Sequence, residues 1–457
     1  MGKIKDGLQS KLSMSRRNFV QLGGAIIAGS TWETSHLKGI LPRDEEPVAK
    51  IKAFRKLGRT GFSVSDIGMG TNRNIDASII RYAYDHGINY FDTAEGYGNG
   101  GAERTLGEAL KFMDRKKVFI STKIHISSDE SEQSIIDRFQ KCLERLGTEY
   151  ADALFMHGVT RVSDLDHVGY HAAIARLRSE GRVKFTGLSS HGPRGNDGDS
   201  MEKVLCAAAE DGRFDVMLLV YNFMNQEAGD NILAACKKHN VGTTAMKTAP
   251  GIFQLESFDP ENPTPQQQEN LDRMVKRGAS REEAIERMRQ RLKDQQANFE
   301  KTKPFLEKYQ IRSQDQLRIA SIHWVIQNPD MHSTCVSFTD FDFVDKMVPL
   351  SGTKLSRLEL EFLENYRLAF NYEYCRHGCQ LCAASCPHRV PVSTIMRYVY
   401  YFEFQGQEKY AMQRYASLAA QNGGICTGCD APCLEHCPYH IDIPAKLSYA
   451  HSLLTLA

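Results

Sequence analysis

The sequence carries almost no net charge and no apolar run long enough to cross a membrane. Its 57 basic and 56 acidic side chains leave a formal net charge of +1 over 457 residues, so the broad positive field that attracts nucleic acid is missing. The N-terminal apolar run 22–29 is too short for a membrane span. A hydrophobic fraction of 41% is ordinary for a globular chain. These observations argue against nucleic acid as a partner, a multi-span membrane protein and wholesale disorder.

Residues 1–30 have the pattern of an export signal. Paired arginines, Arg16 and Arg17, precede Phe19 and the weakly hydrophobic run, and this arrangement resembles a twin-arginine signal. We predict a signal over 1–30, a linker over 31–52 and a periplasmic or otherwise exported protein. No small-x-small cleavage site is evident, so an uncleaved signal would tether the protein to a membrane. The alternative is the basic start of an amphipathic helix.

From about residue 62 to 345, short apolar runs alternate with amphipathic stretches. This alternation is typical of parallel strands joined by crossover helices. Eight units with polar residues at the strand ends predict an α/β fold, a closed (β/α)8 TIM barrel over 53–350, with a doubly wound sheet as the alternative. The predicted strands are Val64–Thr71, Asn89–Ala94, Val118–Ile124, Ala151–Gly158, Val183–Ser190, Val216–Asn222, Gly242–Thr248 and His332–Phe338.

Amphipathic stretches between these strands predict helices at Ile79–His86, Ile135–Leu146 and Ala172–Ser179. An insertion at 253–303 follows the seventh strand, and its composition predicts helix after Pro265. The many charges of the insertion favour a solvated face, with a lid over the pocket as the alternative.

Three successive predicted strands end in polar residues. Asp92, Lys123 and His157 end the second, third and fourth strands, and Tyr97 follows Asp92 closely. Singly, each has a structural explanation, such as a helix start or a core histidine. Together they can converge on one pocket, because the strand ends of a barrel meet at one mouth and neighbouring strands lie about 4.8 Å apart.

This quartet suits proton transfer to a carbonyl oxygen. The Tyr97 phenol would be the general acid or base, and a buried Lys123 ammonium would lower the pKa of that phenol towards working pH. Asp92 would orient Lys123. His157 would hydrogen-bond the substrate oxygen.

The chain from Arg55 to about residue 348 resembles the aldo-keto reductase family. Asp92, Tyr97, Lys123 and His157 match the order and approximate spacing of that family's catalytic tetrad. The resemblance implies a nicotinamide cofactor, NAD or NADP, and a small carbonyl or alcohol substrate. It also implies that two serines and an asparagine hold the nicotinamide amide and that the strand-eight loop meets the phosphates. The implied cofactor residues are Thr71, Ser189, Ser190, Asn222, Met246, Lys247, Ser337 and Thr339.

The loop after the eighth predicted strand departs from the family. Where a glycine and basic residues often follow that strand, this chain has Asp340 and Asp342. Two carboxylates would repel a 2′-phosphate. The departure leaves three alternatives open: use of NADH, different contacts at the phosphate end, or weakened cofactor binding.

Eight of the twelve cysteines lie in two runs near the C-terminus. Each run is close to the ferredoxin arrangement Cys-x2-Cys-x2-Cys-x3-Cys-Pro, with one extra spacer residue. We predict a small helical ferredoxin-like domain over 351–457, with a helical stretch at Ser393–Ala420, that binds two 4Fe-4S clusters. One cluster would use Cys375, Cys379, Cys382 and Cys437, and the other Cys386, Cys426, Cys429 and Cys433.

Three alternatives for the tail remain: a pair of zinc sites, a disulfide framework, or a cluster on one run alone. The other four cysteines lie in apolar segments and are predicted to pack in the core; they are Cys142, Cys206, Cys236 and Cys335.

Two functions follow from these patterns. The first is an exported oxidoreductase that interconverts a carbonyl and an alcohol, with clusters that serve a redox partner protein or a quinone. Direct exchange between nicotinamide and a cluster is awkward, because hydride carries two electrons and a cluster accepts one. The second is a redox or structural binding module whose barrel has lost nicotinamide turnover and whose clusters order the tail or dock a partner.

Overall fold

The computed structural model describes residues 49–72, 75–195, 197–251, 259–263, 265–276, 278–311 and 314–455. The predicted signal, most of the predicted linker and the start of the insertion lie outside the described residues. Export therefore stays a prediction. Within the described ranges, no helix has both the length and the apolar content needed to cross a membrane.

A hairpin of two short strands precedes the barrel. Strand β1 (Phe54–Lys56) pairs antiparallel with β2 (Ser63–Ser65). Leu57, which follows β1, is completely buried, and a Cβ atom added to Gly58 would lie 2.3 Å from the nitrogen of Gly242. The hairpin therefore packs directly on the polypeptide at Gly242.

Eight parallel strands follow, and each pairs with the next one along the chain. The first and last are joined by a bridge between Met69 and Val336, with the amide of Gly70 donating to the carbonyl of Val336 at 2.9 Å. The sheet is therefore closed, which confirms the predicted (β/α)8 barrel. The strands are β3 (Met69–Gly70), β4 (Tyr90–Asp92), β5 (Phe119–Ile124), β6 (Ala151–Met156), β7 (Val183–Ser189), β8 (Val216–Val220), β9 (Gly242–Met246) and β10 (Ser333–Thr334).

The predicted first strand, Val64–Thr71, is wrong in its first half. Its start belongs to the hairpin, and only Met69–Gly70 joins the barrel. Between the two segments the Asp66 carboxylate accepts hydrogen bonds from Ser351 and Gly352. An apolar run that crosses from one sheet into another cannot be divided by its pattern alone. The other seven predicted strands each contain the observed strand.

Six helices cover the first part of the barrel, and their starts follow local capping chemistry. Asp76, Ser131 and Ser200 each accept a backbone N–H at a helix N-terminus, as short polar side chains do. The three predicted helices are present, each beginning before its predicted start. The helices are α1 (Ala77–Asp85), α2 (Gly101–Leu110), α3 (Glu132–Leu146), α4 (Val168–Ser179), α5 (Met201–Asp211) and α6 (Gln226–Lys238).

The insertion after β9 contains two helices, α7 (Pro265–Lys276) and α8 (Arg281–Lys308), which share a small apolar cluster of their own. Helix α9 (Gln314–Gln327) then returns the chain to β10. The four cysteines outside the two runs pack in or against the main core, as predicted.

Five helices follow the last strand: α10 (Phe341–Met347), α11 (Arg357–Phe370), α12 (Val392–Phe404), α13 (Glu408–Ala416) and α14 (Ile443–Leu454). Helix α11 packs against Phe223 and Leu317 of the barrel unit, so the barrel packing continues past the predicted boundary at 350. The predicted helix Ser393–Ala420 is two helices. The last three helices share a separate apolar core with the cysteine loops.

Candidate active site

An ion pair lies at the carboxyl ends of β4 and β5. The Lys123 ammonium donates to Asp92 Oδ2 and to the carbonyl of Thr93, both at 2.6 Å. Ser121 donates to the other carboxylate oxygen at 2.8 Å. Burial alone would lower the pKa of Lys123, but the charge and hydrogen bond of Asp92, together with Tyr97 and Cys335, outweigh burial and the pKa is raised. The amine therefore stays a charged ammonium inside the barrel.

Tyr97 lies beside this pair, with its ring centroid 4.9 Å from Lys123 Nζ and 5.7 Å from the centre of the His157 ring. The structure therefore brings all four predicted catalytic residues together. The expected direction of the pKa shift of Tyr97 is wrong. Burial raises that pKa to about 12, and the lowering by Lys123 is opposed by the Asp92 charge, because a neutralised ammonium does little to stabilise a phenolate.

His157 completes the site as a neutral ring. It stacks on His125, with 4.0 Å between the ring centroids. Burial holds the pKa of His157 well below its usual value, and charge on His125 and Lys123 adds to this lowering. Its Nδ1 atom is buried and has no hydrogen-bond partner among the described residues. A neutral imidazole keeps one ring N–H that can donate to a substrate oxygen.

A cavity of about 750 Å³ lies over these residues and is shared by the barrel and the C-terminal helices. The two are fastened together where Arg397 of α12 donates to the carbonyls of His191 and Pro193, at 2.7 and 2.9 Å. The residues of the C-terminal helices that cover this cavity, which we call its roof, could not be predicted from the sequence. Basic and aromatic residues are common on helices and do not by themselves indicate a site. The roof residues include Arg397, Tyr398, Tyr400, Tyr401, Phe404, Tyr410 and Arg414. None of the described insertion residues lines the cavity.

The eight predicted cofactor residues divide into two groups. Three of them, Met246, Lys247 and Ser337, line the cavity with Tyr97. Burial and the nearby Arg397 hold the pKa of Lys247 well below its usual value, and its amine lies 3.0 Å from His191 Nδ1. The other five, which do not line the cavity, are Thr71, Ser189, Ser190, Asn222 and Thr339.

The prediction that Asn222 holds a nicotinamide amide does not fit this arrangement. Its Oδ1 atom accepts from the amides of Met224 and Asn225. Its Nδ2 atom donates to the carbonyl of Lys247 at 2.8 Å and to the hydroxyl of Tyr374 at 3.2 Å. An amide side chain has two acceptor and two donor positions, so all four are used. Tyr374 belongs to the cysteine-rich tail, and the barrel motifs give no indication of this contact.

The two serines are engaged as well. Ser189 accepts from the amide of Gly158 at 3.0 Å, and Ser190 donates to the carbonyl of Val159 at 2.7 Å. These bonds fix the loop after β6, next to His157. Thr71 donates to the carbonyl of Asp92 at 3.1 Å, and Thr339 donates to Asp340. Ser337 donates to Asn72 Oδ1 at 2.9 Å. All five predicted cofactor hydroxyls therefore make bonds within the protein.

The two acidic residues after β10 are also partnered. Asp340 caps α10 by accepting from the amide of Phe343 at 2.8 Å, and Asp342 pairs with Lys346 at 2.7 Å. On the cavity side, Arg318 donates to the carbonyl of Ser337 at 2.7 Å. The expected repulsion of a 2′-phosphate is therefore weakened, because one carboxylate is neutralised and an arginine that the sequence reasoning missed lies beside the loop.

The tail cysteines act on one another both within and between the two predicted groups. Burial raises the pKa of Cys375, and Cys379, Cys382 and Cys437 raise it further. Burial raises the pKa of Cys426 to about 11, and Cys386, Cys433 and Cys429 add to it. Such mutual effects require nearby thiols. All twelve cysteines lie in the described ranges, and none is paired in a disulfide.

The cysteine groups do not form a site for a single ion. In the described part of the chain, no three His, Cys, Asp or Glu side chains come close enough together to hold one metal ion. The second group surrounds a small cavity of about 20 Å³, lined by Cys386, Cys426, Cys429 and Cys433 among others.

Comparison with known proteins defines the class. The aldo/keto reductase family model matches residues 61–360, more than half of the chain. The chain belongs to the aldo/keto reductase family, which confirms the resemblance seen in the tetrad.

Individual relatives are more distant. The chain is 36% identical over 158 residues to "Probable aldo-keto reductase 1" of Glycine max, covering 30% of this chain and 45% of that protein. It is 27% identical over 223 residues to "D-threo-aldose 1-dehydrogenase" of Pseudomonas sp, covering 42% and 65%. The chain thus spans less than two thirds of the curated relatives it matches. A solved aldo-keto reductase of Klebsiella pneumoniae in complex with NADPH has a TM-score of 0.46 and 20% identity, covering 70% of this chain and 95% of that one.

Proposed function

We propose that this protein interconverts a carbonyl compound and an alcohol with a nicotinamide coenzyme. The observation that carries the proposal is the convergence of Asp92, Tyr97, Lys123 and His157 on one cavity. Tyr97 and His157 line that cavity, whereas the Lys123 ammonium is completely buried behind them. This is the arrangement that places a proton donor and a hydrogen-bonding ring around one carbonyl oxygen.

The cavity offers better contacts for the phosphates of the coenzyme than for its nicotinamide amide. Lys247 and Arg318 line it and offer amine and guanidinium N–H groups, which can donate to phosphate oxygens. Asn222, by contrast, has no hydrogen-bonding position left for a nicotinamide amide. When bound, the coenzyme would supply or accept the hydride.

The residues of the chain carry the proton. His157 would hold the substrate oxygen through a ring N–H, and the Tyr97 hydroxyl would donate the proton that this oxygen needs on reduction. Lys123 would place a positive charge beside the phenolate that remains, an effect that burial and the Asp92 carboxylate outweigh in the structure. Asp92 would act as a positioning residue, because it fixes Lys123 by a 2.6 Å ion pair.

The rate of carbonyl reduction should stay flat between about pH 6 and about pH 9. Reduction requires a protonated phenol, and the pKa of Tyr97 is raised to about 12, so the acid form persists across this range. His157 stays neutral throughout, since its pKa is lowered. The measurement is kcat for reduction against pH at saturating coenzyme. A falling limb centred near pH 8 would show instead that bound ligands lower the pKa of Tyr97.

A second candidate function is a redox or structural module without nicotinamide turnover. This alternative is favoured because all four hydrogen-bonding positions of the Asn222 side-chain amide are used by Tyr374 and by backbone groups. Equilibrium binding of NADH and NADPH to the purified protein separates the two functions. Binding followed by coenzyme oxidation with an aldehyde supports the oxidoreductase, and no binding of either coenzyme supports the module.

We also propose that the tail binds two 4Fe-4S clusters on the two cysteine groups. A four-iron cube is larger than one ion, so its four thiolates must stand further apart than the ligands of zinc. The support for the proposal is the spacing of the two cysteine runs, which is close to the ferredoxin arrangement. The amide of Val390 also donates to Cys386 Sγ at 3.3 Å, a contact of the kind that stabilises a ligating thiolate. Bound clusters would carry single electrons to a redox partner protein or a quinone.

Anaerobically purified protein should contain about eight iron and about eight sulfide per chain. Cys375→Ala should reduce both to about four, because it removes a ligand from one group only. Cys206→Ala is the matched control, since Cys206 packs against the barrel core, and it should leave the content unchanged. Zinc in place of iron, or an unchanged iron content in Cys375→Ala, would contradict the assignment.

A further inference from the structure

The cavity over the tetrad is lined by cations that have no carboxylate partner. Arg194, Arg397 and Arg414 all contribute to its wall. None of them makes an ion pair with any carboxylate in the part of the chain that the structure describes. Lys123 shows the contrast, because its charge is matched by Asp92. Buried or half-buried charges without counter-charges are costly, so the wall is suited to a ligand of negative charge.

Arg194 lies beside the reacting groups. Its guanidinium donates to His125 Nδ1 at 2.8 Å, and it lies 3.4 Å from the carbonyl oxygen of His157. His125 in turn stacks on the His157 ring. An anionic group held by Arg194 would therefore belong to the molecule whose carbonyl is reduced.

Arg397 and Arg414 bring positive charge from the roof. Arg397 is only 4% exposed, and its two hydrogen bonds go to backbone carbonyls, which do not cancel its charge. Arg414 is half-buried, with its guanidinium 5.3 Å from the centre of the Tyr410 ring. The tyrosine hydroxyls of this roof are further donors for an oxyanion.

This group of cations is separate from the end of the cavity assigned to coenzyme phosphates. Ser337 follows β10, and Arg194 follows β7, which is three strands away around the barrel. The two ends can therefore bind different anions at the same time.

We propose that the substrate is a carbonyl compound bearing a carboxylate or phosphate group, bound through Arg194 and Arg414. The proposal rests on the proposed oxidoreductase function and narrows its substrate class. Arg397 is a positioning residue, because it fastens the roof to the loop after β7. Bidentate contacts from guanidinium groups to carboxylate or phosphate give strong and directional binding.

The test compares matched substrates with and without the charge, using the full-length protein. Succinic semialdehyde is compared with its methyl ester, and glyceraldehyde phosphate with glyceraldehyde, at saturating coenzyme. The charged member of at least one pair should have a KM about tenfold lower or more. The pair that shows the preference identifies the group as carboxylate or phosphate.

Arg194→Gln and Arg414→Gln should each raise the KM for the charged substrate about tenfold more than the KM for the neutral one. Coenzyme affinity should stay unchanged. Arg367→Gln is the matched control, because Arg367 pairs with Glu364 on the surface of α11. Two variants are used so that a folding failure in one leaves the other informative.

Calorimetry with succinate and glycerol phosphate separates failure of this proposal from failure of the proposed function. Binding of either anion, lost in Arg194→Gln or Arg414→Gln, supports the anion site even if the protein reduces no carbonyl. Turnover of neutral aldehydes with equal KM for charged and neutral members, and no binding of either anion, would overturn it.

Discussion

Replacing Tyr97 by phenylalanine is expected to lower the rate of carbonyl reduction by about 10²–10⁴-fold. The change removes the hydroxyl that delivers the proton and leaves the ring that packs beside Lys123 and His157. The fold should be unaffected. The measurement is kcat with an aldehyde that the wild-type protein reduces, together with the affinity for the coenzyme, which should change little.

Tyr82→Phe is the matched control for this substitution. The Tyr82 hydroxyl donates to Asp345 at 2.8 Å, and Tyr82 does not line the cavity. Its removal should leave the reduction rate within about twofold of the wild type, because a partly exposed hydrogen bond contributes little beyond stability. A Tyr97→Phe variant that keeps more than about a tenth of the activity would assign the proton to another group.

The tetrad could be predicted because its geometry is local to the barrel. Parallel strands of one barrel all end at the same mouth, so Asp92, Lys123 and His157 had to meet once the eight strands were recognised. Tyr97 could be placed with them because only a short segment separates it from the end of β4. The closure of the sheet between Met69 and Val336 is also implied by eight units of this type.

The roof of the cavity could not be predicted in the same way. Arg397 and Tyr374 reach the barrel from a tail that lies far along the chain from the strands they cover, and no periodicity reports such a contact. Contacts from the tail change which hydrogen bonds a barrel residue can offer to a ligand, even where the position of that residue was predicted correctly. Asn222 lies where the family resemblance places it, yet the hydrogen-bonding positions of its side-chain amide are taken by Tyr374 and by backbone groups of the barrel.

The pKa of Tyr97 could not be predicted because opposing effects had to be compared. The sequence indicates that a lysine and an aspartate lie nearby, and it does not indicate how deeply they are buried. In the structure, burial of the phenol and the charge of Asp92 outweigh Lys123. The sequence therefore indicates that Lys123 lowers the pKa of Tyr97, but only the depth of burial shows that the pKa is raised overall.

Lys123→Met should both abolish reduction and destabilise the fold. The Asp92 side chain would keep its bond from Ser121 but lose its buried counter-ion. Breaking a buried pair by removing one partner costs about 3–5 kcal/mol, because an uncompensated charge remains. We expect a loss of that size in the free energy of unfolding, measured by denaturant titration, and a reduction rate at least about 100-fold lower.

Lys111→Met is the matched control, because Lys111 pairs with Glu108 where both side chains are more than half exposed, and exposed pairs contribute little. Combining Lys123→Met with Asp92→Asn distinguishes charge from packing. The double variant should recover most of the lost stability, since the buried carboxylate is gone, but none of the activity. If the double variant is as unstable as Lys123→Met alone, the loss comes from packing of the lysine side chain, and the buried charge of Asp92 is not what the lysine offsets.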